Sequence, residues 1–203
     1  LENYGVKRSS GIVVETDSQH YYPQMPYYLL PNIGSDDITT EVKSNYILMP
    51  VAQAIQQLDS YRDTITIKSL LTTTEDAYIE NDPENSTWSK SADSETGAFD
   101  LGVSITETVD DKETQIIYFS SASMLSSQID QAISGANSKL AATALTSMCD
   151  VEQTVVIPSK STSYTNLVFT QGAVNTWSII TIAGIPLVLV VIGVMIWMKR
   201  RKQ

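Results

Sequence analysis

The sequence predicts a mixed α/β domain followed by one C-terminal transmembrane helix. Residues 45–49 and 64–71 are strand-like apolar runs, and residues 51–58 place apolar side chains at i, i+3, i+4 and i+7, the spacing of an amphipathic helix. A strand, a helix and a strand in this order indicate a βαβ unit, and therefore a mostly parallel sheet with flanking helices. The terminal helix is predicted from the uncharged run at residues 177–198.

Three further strands follow from shorter patterns. Residues 11–15 are a short apolar run typical of a buried strand, whereas residues 99–106 alternate between apolar and polar side chains. Residues 115–119 form a continuous apolar strand of the kind that both faces of a sheet cover. Asp110 and Asp111 mark a turn between the last two strands, so we expect these to pair as a hairpin in a mixed sheet.

Two segments are predicted to be irregular. Residues 20–31 combine tyrosines with three prolines, which deny the segment regular structure. Residues 75–97 are polar and read as a long surface loop.

The helices of the domain follow from two apolar stripes. One lies in residues 125–133 and the other in residues 140–148, with Asn137 or Ser138 as the expected N-cap of the second. A last strand is predicted at residues 154–157.

The terminal run has the features of a membrane anchor. As a helix, its 22 residues would span about 33 Å, which matches a hydrocarbon core of roughly 30 Å. Trp177 and Trp197 stand near its ends, where amphipathic rings favour the headgroup level. Spanning helices tolerate the internal Pro186, and the small residues Gly184 and Gly193 permit close packing on other helices.

Charge predicts the orientation of this anchor. All 23 acidic residues precede Trp177, and with nine basic residues they give the first 176 residues a formal charge of −14. A basic tail follows the run at once, and cytoplasmic flanks are enriched in such residues. The tail consists of Lys199, Arg200, Arg201 and Lys202.

The expected organisation is therefore a domain at residues 1–170 outside the cytoplasm, a helix with a short lead-in at 171–198, and a cytoplasmic tail at 199–203. The predicted location is the cell membrane. A domain this acidic repels phosphates, so nucleic acid is not an expected partner. The chain begins without an apolar leader that could start export, and we expect it to be the C-terminal part of a longer protein.

Catalytic constellations are not evident in the sequence. Cys149 and His20 could form a thiol–imidazole pair, but the position of Cys149 at the end of an apolar helix favours a packing role. The acidic stretch at residues 75–84 lacks the order of an EF-hand loop, and Asn85 begins a weak glycosylation sequon. Because no phosphate-binding loop occurs either, we predict a chain that is not an enzyme and binds no metal, cofactor or nucleotide.

Two groups of residues are candidates for a partner or ligand surface. Exposed aromatic side chains beside prolines often form such surfaces, although packing of the loop on its own domain is the alternative. An open α/β sheet would also bind ligands beyond the carboxyl ends of its strands. The first group is Tyr21, Tyr22, Tyr27 and Tyr28, and the second is Asp17, Ser18, Ser120 and Ser121.

Several motifs occur in an order that resembles one family. They are Tyr4-Gly5-Val6, the strand at 11–15, Pro26-Tyr-Tyr-Leu-Leu-Pro31, Ile38-Thr39, the strand at 116–119 running into Ser120-Ser-Ala-Ser-Met-Leu125, Asn137 opening a helix that ends near Cys149, and Ile185-Pro186 before the basic tail. Together they resemble the C-terminal half of a GldG-type auxiliary protein of ABC transporters, a family first associated with gliding motility.

This resemblance implies a Rossmann-like or amidotransferase-like domain outside the cytoplasm, tethered by membrane helices at both ends. It implies work with an ABC-2-type permease and a separate ATPase, and it carries over no catalytic residues. One departure is the turn Ser120-Ser-Ala-Ser123, where many members have glycine and aspartate.

We therefore expect a non-catalytic auxiliary subunit of an ABC-2-type export system. The alternative is a stand-alone, membrane-anchored module that binds a sugar, peptide or polymer of the cell envelope.

Overall fold

Antiparallel pairing dominates the residues that the computed structural model describes, which are 1–82, 87–149 and 168–201. The strands are β1 (Val6–Arg8), β2 (Ile12–Val14), β3 (Tyr21–Tyr22), β4 (Met25–Leu29), β5 (Asn32–Ile33), β6 (Met49–Pro50), β7 (Ile55–Gln57), β8 (Ile65–Thr72), β9 (Tyr78–Glu80), β10 (Asp100–Val109) and β11 (Lys112–Phe119). The helices are α1 (Asp37–Thr40), α2 (Ser127–Ala132), α3 (Ala136–Ser147), α4 (Gln171–Ile179) and α5 (Ile185–Arg201).

The strands form three sheets. The largest has the order β1-β7-β10-β8-β5, with β11 also paired to β10, and the smaller sheets are β2-β9 and β3-β4-β6. Every pair of these described strands is antiparallel. The predicted mostly parallel, Rossmann-like sheet is therefore wrong. Only β3–β4 and β10–β11 are hairpins among the described strands, and the other pairs join distant segments, such as β1 with β7 and β2 with β9. Antiparallel pairs need no helical crossover.

The hairpin of β10 and β11 is the part of this sheet that the sequence predicts best. Val109 pairs with Lys112 across a two-residue loop, and the loop residues Asp110 and Asp111 have φ angles of 50° and 60°. Positive φ at both positions is the geometry of a type I′ turn, whose twist suits the flanking strands. The alternating strand and the turn are confirmed, but the pairing lies within an antiparallel sheet.

The predicted helix at residues 51–58 is absent. Val51 instead forms a turn with φ 52°, and the chain then enters β7, which pairs with β1. Ala52 and Ala54 are fully buried in the large core, whereas Val51 is 47% exposed. Of the predicted stripe, Ala54 and Ile55 are buried whereas Val51 is exposed, so tertiary packing overrides the helical pattern.

The segment rich in tyrosine and proline is also more regular than predicted. It forms the hairpin β3–β4, and β4 pairs on its other side with β6. Pro23 and Gln24 lie between the paired Tyr22 and Met25, and Gln24 has φ 65°. Proline followed by a residue of positive φ is the arrangement of a type II turn. The proline therefore specifies a turn here and does not exclude the strands.

The predicted loop at residues 75–97 contains strand β9, which pairs with β2. Ala77, Tyr78 and Ile79 are buried there, because a short apolar stretch interrupts the polar sequence. Residues 83–86 lie outside the described part of the chain, and the sequon at Asn85 falls among them.

Helix α3 begins earlier than predicted. Its N-cap is Gly135, with φ 84°, and Asn137 lies inside the first turn with its side chain fully buried. The apolar stripe is only partly confirmed, because Leu140 and Ala144 are buried whereas Leu145 is 66% exposed. Cys149 is also exposed, and the packing role predicted for it is wrong. The strand predicted at 154–157 lies outside the described residues.

Two hydrophobic clusters hold the sheets together. The larger includes Leu29, Leu48, Leu71, Leu101 and Leu140. The smaller comprises Val6, Ile55, Ile65, Val103 and Ile105. Val168, just before the terminal helix, packs against the larger cluster and so ties that end of the chain to the domain.

The terminal helix is continuous through a change of winding. Helix α4 passes into a π-helical turn at Ile180–Gly184 and then into α5. Pro186 follows this turn, and a proline both lacks an N–H and crowds the carbonyl of the residue four positions earlier. A local π turn relieves that crowding without ending the helix.

Candidate membrane junction

The helix Gln171–Arg201 is long and apolar enough to cross a membrane, and its apolar segment is not buried against the domain. Trp177 and Trp197 are 63% and 59% exposed. Twenty residues of helix between them give a separation of about 30 Å, equal to a typical hydrocarbon core. The Arg201 guanidinium lies 5.4 Å from the centre of the Trp197 ring, a cation–π contact at the basic end.

The small residues of the predicted anchor are open to their surroundings. No atom lies within 4 Å of a Cβ placed on Gly184 or on Gly193. Gly184 ends the π-helical turn that precedes Pro186. Lys199, Arg200 and Arg201 form the last turn of α5, and Lys202 lies beyond the described residues.

The first turn of α4 is bonded directly to the domain. The Thr170 hydroxyl caps the helix by accepting a hydrogen bond from the Ala173 N–H, and it donates to Gln19 Oε1 at 3.1 Å. The Gly172 N–H donates to the Ser18 carbonyl at 2.7 Å. These bonds satisfy helix-end donors that would otherwise lack partners.

A further bond joins the helix to the hairpin β3–β4. The Gln24 N–H donates to Gln171 Oε1 at 2.8 Å, and the Gln171 amide also donates to Asn175 Oδ1. The strained turn residue of the hairpin is therefore held by the first residue of the helix. We call this set of contacts the junction, made by residues 18–24 and 170–172.

Gly172 lies in close contact with the side chain of Gln19. A Cβ on Gly172 would lie 1.7 Å from Gln19 Nε2, so any side chain there must displace the amide of Gln19. The sequence reasoning missed Gln19, Gln24, Gln171 and Gly172. In the sequence, Gln171 and Gly172 before Trp177 could have indicated these contacts, since a membrane-spanning helix does not require a glutamine and a glycine at its start.

A buried carboxylate positions the loop that forms the junction. Glu15 is 2% exposed and accepts hydrogen bonds from the N–H groups of Thr16, Asp17 and Thr74 and from the Thr74 hydroxyl, at 2.9–3.2 Å. Backbone N–H groups stabilise an ionised carboxylate well, and they can do so without a cation. Glu15 thereby fixes the start of the loop to the residues that follow β8.

Asp17 and Ser18 lie in this loop and are half-buried. Asp17 Oδ1 accepts from the Gln19 N–H, and its other oxygen lies 3.8 Å from His20 Nε2. His20 Nδ1 lies 3.2 Å from the Leu30 carbonyl. The side chains of this loop therefore contact their own domain, and the Ser18 carbonyl contacts the terminal helix.

The four predicted tyrosines share the hairpin but differ in surroundings. Tyr22 and Tyr28 pack against the large core. The Tyr27 ring makes an edge contact with Tyr28 at 5.2 Å and a tilted contact with Trp88 at 4.5 Å between ring centres. Burial, and then the negative charges of Asp17 and Glu15, raise the pKa of Tyr21 above its usual value.

Ser120 and Ser121 lie at the end of β11 and are buried. The Ser121 hydroxyl donates to the Pro50 carbonyl at 2.5 Å, and the Ser120 hydroxyl has no hydrogen-bond partner among the described residues. The sheet edge that was expected to gather these serines with Asp17 and Ser18 does not exist, because the strands are antiparallel.

An open polar groove lies elsewhere, beside the start of β10. Its volume is about 580 Å³, and its lining includes Lys7, Gln56, Gln57, Glu95 and Asp100. Gln56 donates to Glu95, and Gln57 donates to Asp100, so both carboxylates already have partners. No three His, Cys, Asp or Glu side chains within the described ranges lie together as a metal site requires.

Fold and junction together define a class of protein: an antiparallel β domain continuous with a candidate membrane-spanning helix. Comparison of the chain with known proteins found no matching family model, no matching curated protein and no matching solved structure.

Proposed function

We propose that this chain is a non-catalytic, membrane-anchored subunit that acts by protein contact outside the cytoplasm, within an ABC-2-type export system. The junction is the observation that carries this proposal. A flexible linker would only tether the domain, whereas the hydrogen bonds that Gly172 donates to Ser18 and Gln171 accepts from Gln24 fix the helix to the domain. A contact made by either part is therefore transmitted to the other.

The export assignment rests on the anchor, the charge distribution and the resemblance of the motifs to the GldG-type family. It does not rest on the fold, because the resemblance implies a Rossmann-like domain and the described sheets are antiparallel. The sharpest test is therefore a direct search for the partners. Mild crosslinking in native membranes, followed by solubilisation and co-purification, is expected to recover a permease and an ATPase in comparable amounts. Recovery of neither, with other transporters intact, would contradict the assignment.

Gly184 and Gly193 supply a variant for the same experiment. Because both are open, their replacement by leucine should leave the domain folded but block close packing against permease helices. We expect loss of the co-purified permease, with unchanged unfolding of the domain. Retention of the permease would place the contact elsewhere.

Orientation can be tested with Cys149, the single cysteine of the chain, which is exposed. In intact cells, a membrane-impermeant maleimide is expected to label Cys149, because the acidic domain lies outside and the basic tail inside. A Cys149→Ser variant is the control for specificity. Labelling that requires cell lysis would reverse the proposed topology.

A binding module for an envelope sugar, peptide or polymer is the second candidate, favoured by the groove beside β10. The groove combines amides, carboxylates and Lys7, groups that hydrogen-bond polyhydroxylated or peptidic ligands. A ligand that raises the melting temperature, and loses this effect in Gln56→Ala, would support it. Asp17→Ala tests the alternative position near the junction.

A further inference from the structure

The hairpin β3–β4 combines two properties. It is bonded to the base of the terminal helix, and it is uncharged within a strongly acidic domain. Residues 18–35 contain no Asp, Glu, Lys or Arg, and residues 161–198 contain none either. From this combination, and from the proposed membrane anchor, we infer that the hairpin lies at the outer edge of the headgroup layer of the bilayer.

Distance along the helix supports this position. Gln171 bonds the hairpin at Gln24, and Trp177 follows six residues later, about 9 Å along the helix axis. Trp177 marks the expected boundary of the hydrocarbon core, and the headgroup region adds roughly 5–8 Å on each side. Gln24 is therefore held at the outer limit of the headgroup layer, and the hairpin beside it lies against the headgroups.

The side chains of the hairpin suit that depth. Tyrosine and tryptophan have an apolar ring and a polar group, and they concentrate at membrane interfaces. The hairpin has half-buried tyrosines, and the Trp88 ring makes a tilted contact with the Tyr27 ring. Met25 and Phe169 add apolar surface, at 37% and 48% exposure.

Charge specifies the kind of lipid surface. The hairpin offers no cation to an anionic headgroup, and Asp17 beside it would be repelled. Zwitterionic headgroups fit instead, through hydrogen bonds to tyrosine hydroxyls and burial of ring edges. The contact should therefore be insensitive to salt and should not require anionic lipid.

Spin labels on single cysteines test the inference in the full chain, reconstituted into phosphatidylcholine vesicles. In a Cys149→Ser background, labels are placed at Met25→Cys on the hairpin, Glu113→Cys on β11 and Ile182→Cys in the helix. Depth is read from the ratio of collision rates with oxygen and with a water-soluble nickel chelate. We expect the label at position 25 to show a several-fold lower nickel accessibility than the label at 113. Its accessibility should remain higher than that of the label at 182, which the bilayer protects completely.

Each outcome decides one proposal. Equal nickel accessibility at positions 25 and 113, with position 182 protected, overturns the headgroup contact but leaves the anchor intact. Nickel access at position 182 contradicts the membrane anchor itself, on which this inference rests. Protection of position 25 only after co-reconstitution with a permease would assign the hairpin to a protein partner and overturn the lipid contact. Added salt or anionic lipid should change none of the values.

Discussion

Gly172 and Gly193 lie in the same continuous helix but in opposite surroundings. A side chain on Gly172 would collide with Gln19 at 1.7 Å, whereas no atom lies within 4 Å of a Cβ on Gly193. The first turn of the helix thus makes its contacts with the domain, although it is part of the same continuous helix as the apolar segment. The boundary between helix residues that contact the domain and those that do not lies inside the helix, between the junction and Trp177.

The same contrast holds for the two parts of the chain as a whole. Inside the domain, buried polar groups such as Glu15 and Asn137 have several hydrogen bonds each. Along the candidate anchor, apolar side chains are exposed and available to contact lipid or another helix. Substitutions in the domain should therefore change its free energy of unfolding, and substitutions in the anchor should change assembly.

The largest effect is expected at Asn137. Its side chain accepts from the Leu48 N–H and donates to the carbonyls of Leu48 and Met124, at 2.7–3.2 Å. Asn137→Ala leaves these buried groups without partners and should lower the free energy of unfolding by about 4 kcal/mol. Urea unfolding in detergent, followed by circular dichroism, measures this.

Thr143→Ala is a matched control on the same helix, because its hydroxyl bonds only its own helix at Lys139. It should change the free energy of unfolding by less than about 0.5 kcal/mol. Asn137→Asp sharpens the test, since its second oxygen would face two carbonyl oxygens. Equal stability of Asn137→Asp and the unmodified chain would show that the observed bonds do not stabilise the fold.

Glu15 is expected to have the next largest effect, and it links the domain to the junction. Glu15→Gln replaces one acceptor oxygen with an amide that faces N–H donors, so we expect a loss of about 3 kcal/mol. The loop that carries Ser18 should also loosen, which limited proteolysis near residues 16–24 can detect. Glu113→Gln, at an exposed position on β11, should have neither effect.

Sequence patterns predict the parts of the fold that depend on neighbouring residues. The alternation of β10, the two aspartates of its turn and the uncharged terminal run all determine their structure locally. Residues 51–58 show the limit of this reasoning. Their spacing fits a helix, but burial of Ala52 and Ala54 in the core favours a turn and a strand.

The junction could be predicted only in part for the same reason. The tyrosines near residue 21 stand out in the sequence, yet their relation to the terminal helix depends on pairing across about 150 residues. Glu15 reads as the polar end of a strand, and only the fold brings Thr74 to it. Spacing along the chain contains no information on such distant partners.

Gly172→Leu and Gly193→Leu test the comparison between the two ends of the helix directly. The first must displace the Gln19 amide and break its bond with Thr170, and we expect a loss of about 1 kcal/mol in domain stability. The second should leave that stability unchanged, since it adds a side chain to open space. Equal effects of the two variants would mean that the junction does not couple the helix to the domain.

The smallest effect is expected at Tyr78, whose buried hydroxyl, unlike Glu15 and Asn137, lacks a hydrogen bond within the described residues. Its ring is fully buried, and its hydroxyl has no hydrogen-bond partner within the described residues. Tyr78→Phe removes that hydroxyl without leaving a partner unpaired, so stability at neutral pH should stay equal or rise by up to about 1 kcal/mol.

The pH dependence of the same variant gives an independent check. Burial, and then the charge of Glu80, raise the pKa of Tyr78 above its usual value. A raised pKa in the folded state means that folding favours the protonated phenol, so this contribution is complete below about pH 10 and is lost as the pH rises through the folded value. Tyr78→Phe should therefore reduce the alkaline loss of stability. Tyr21 shifts in the same direction for similar reasons, and Tyr21→Phe should reduce the loss further. Identical alkaline unfolding of Tyr78→Phe and the unmodified chain would show that the buried phenol does not titrate with unfolding.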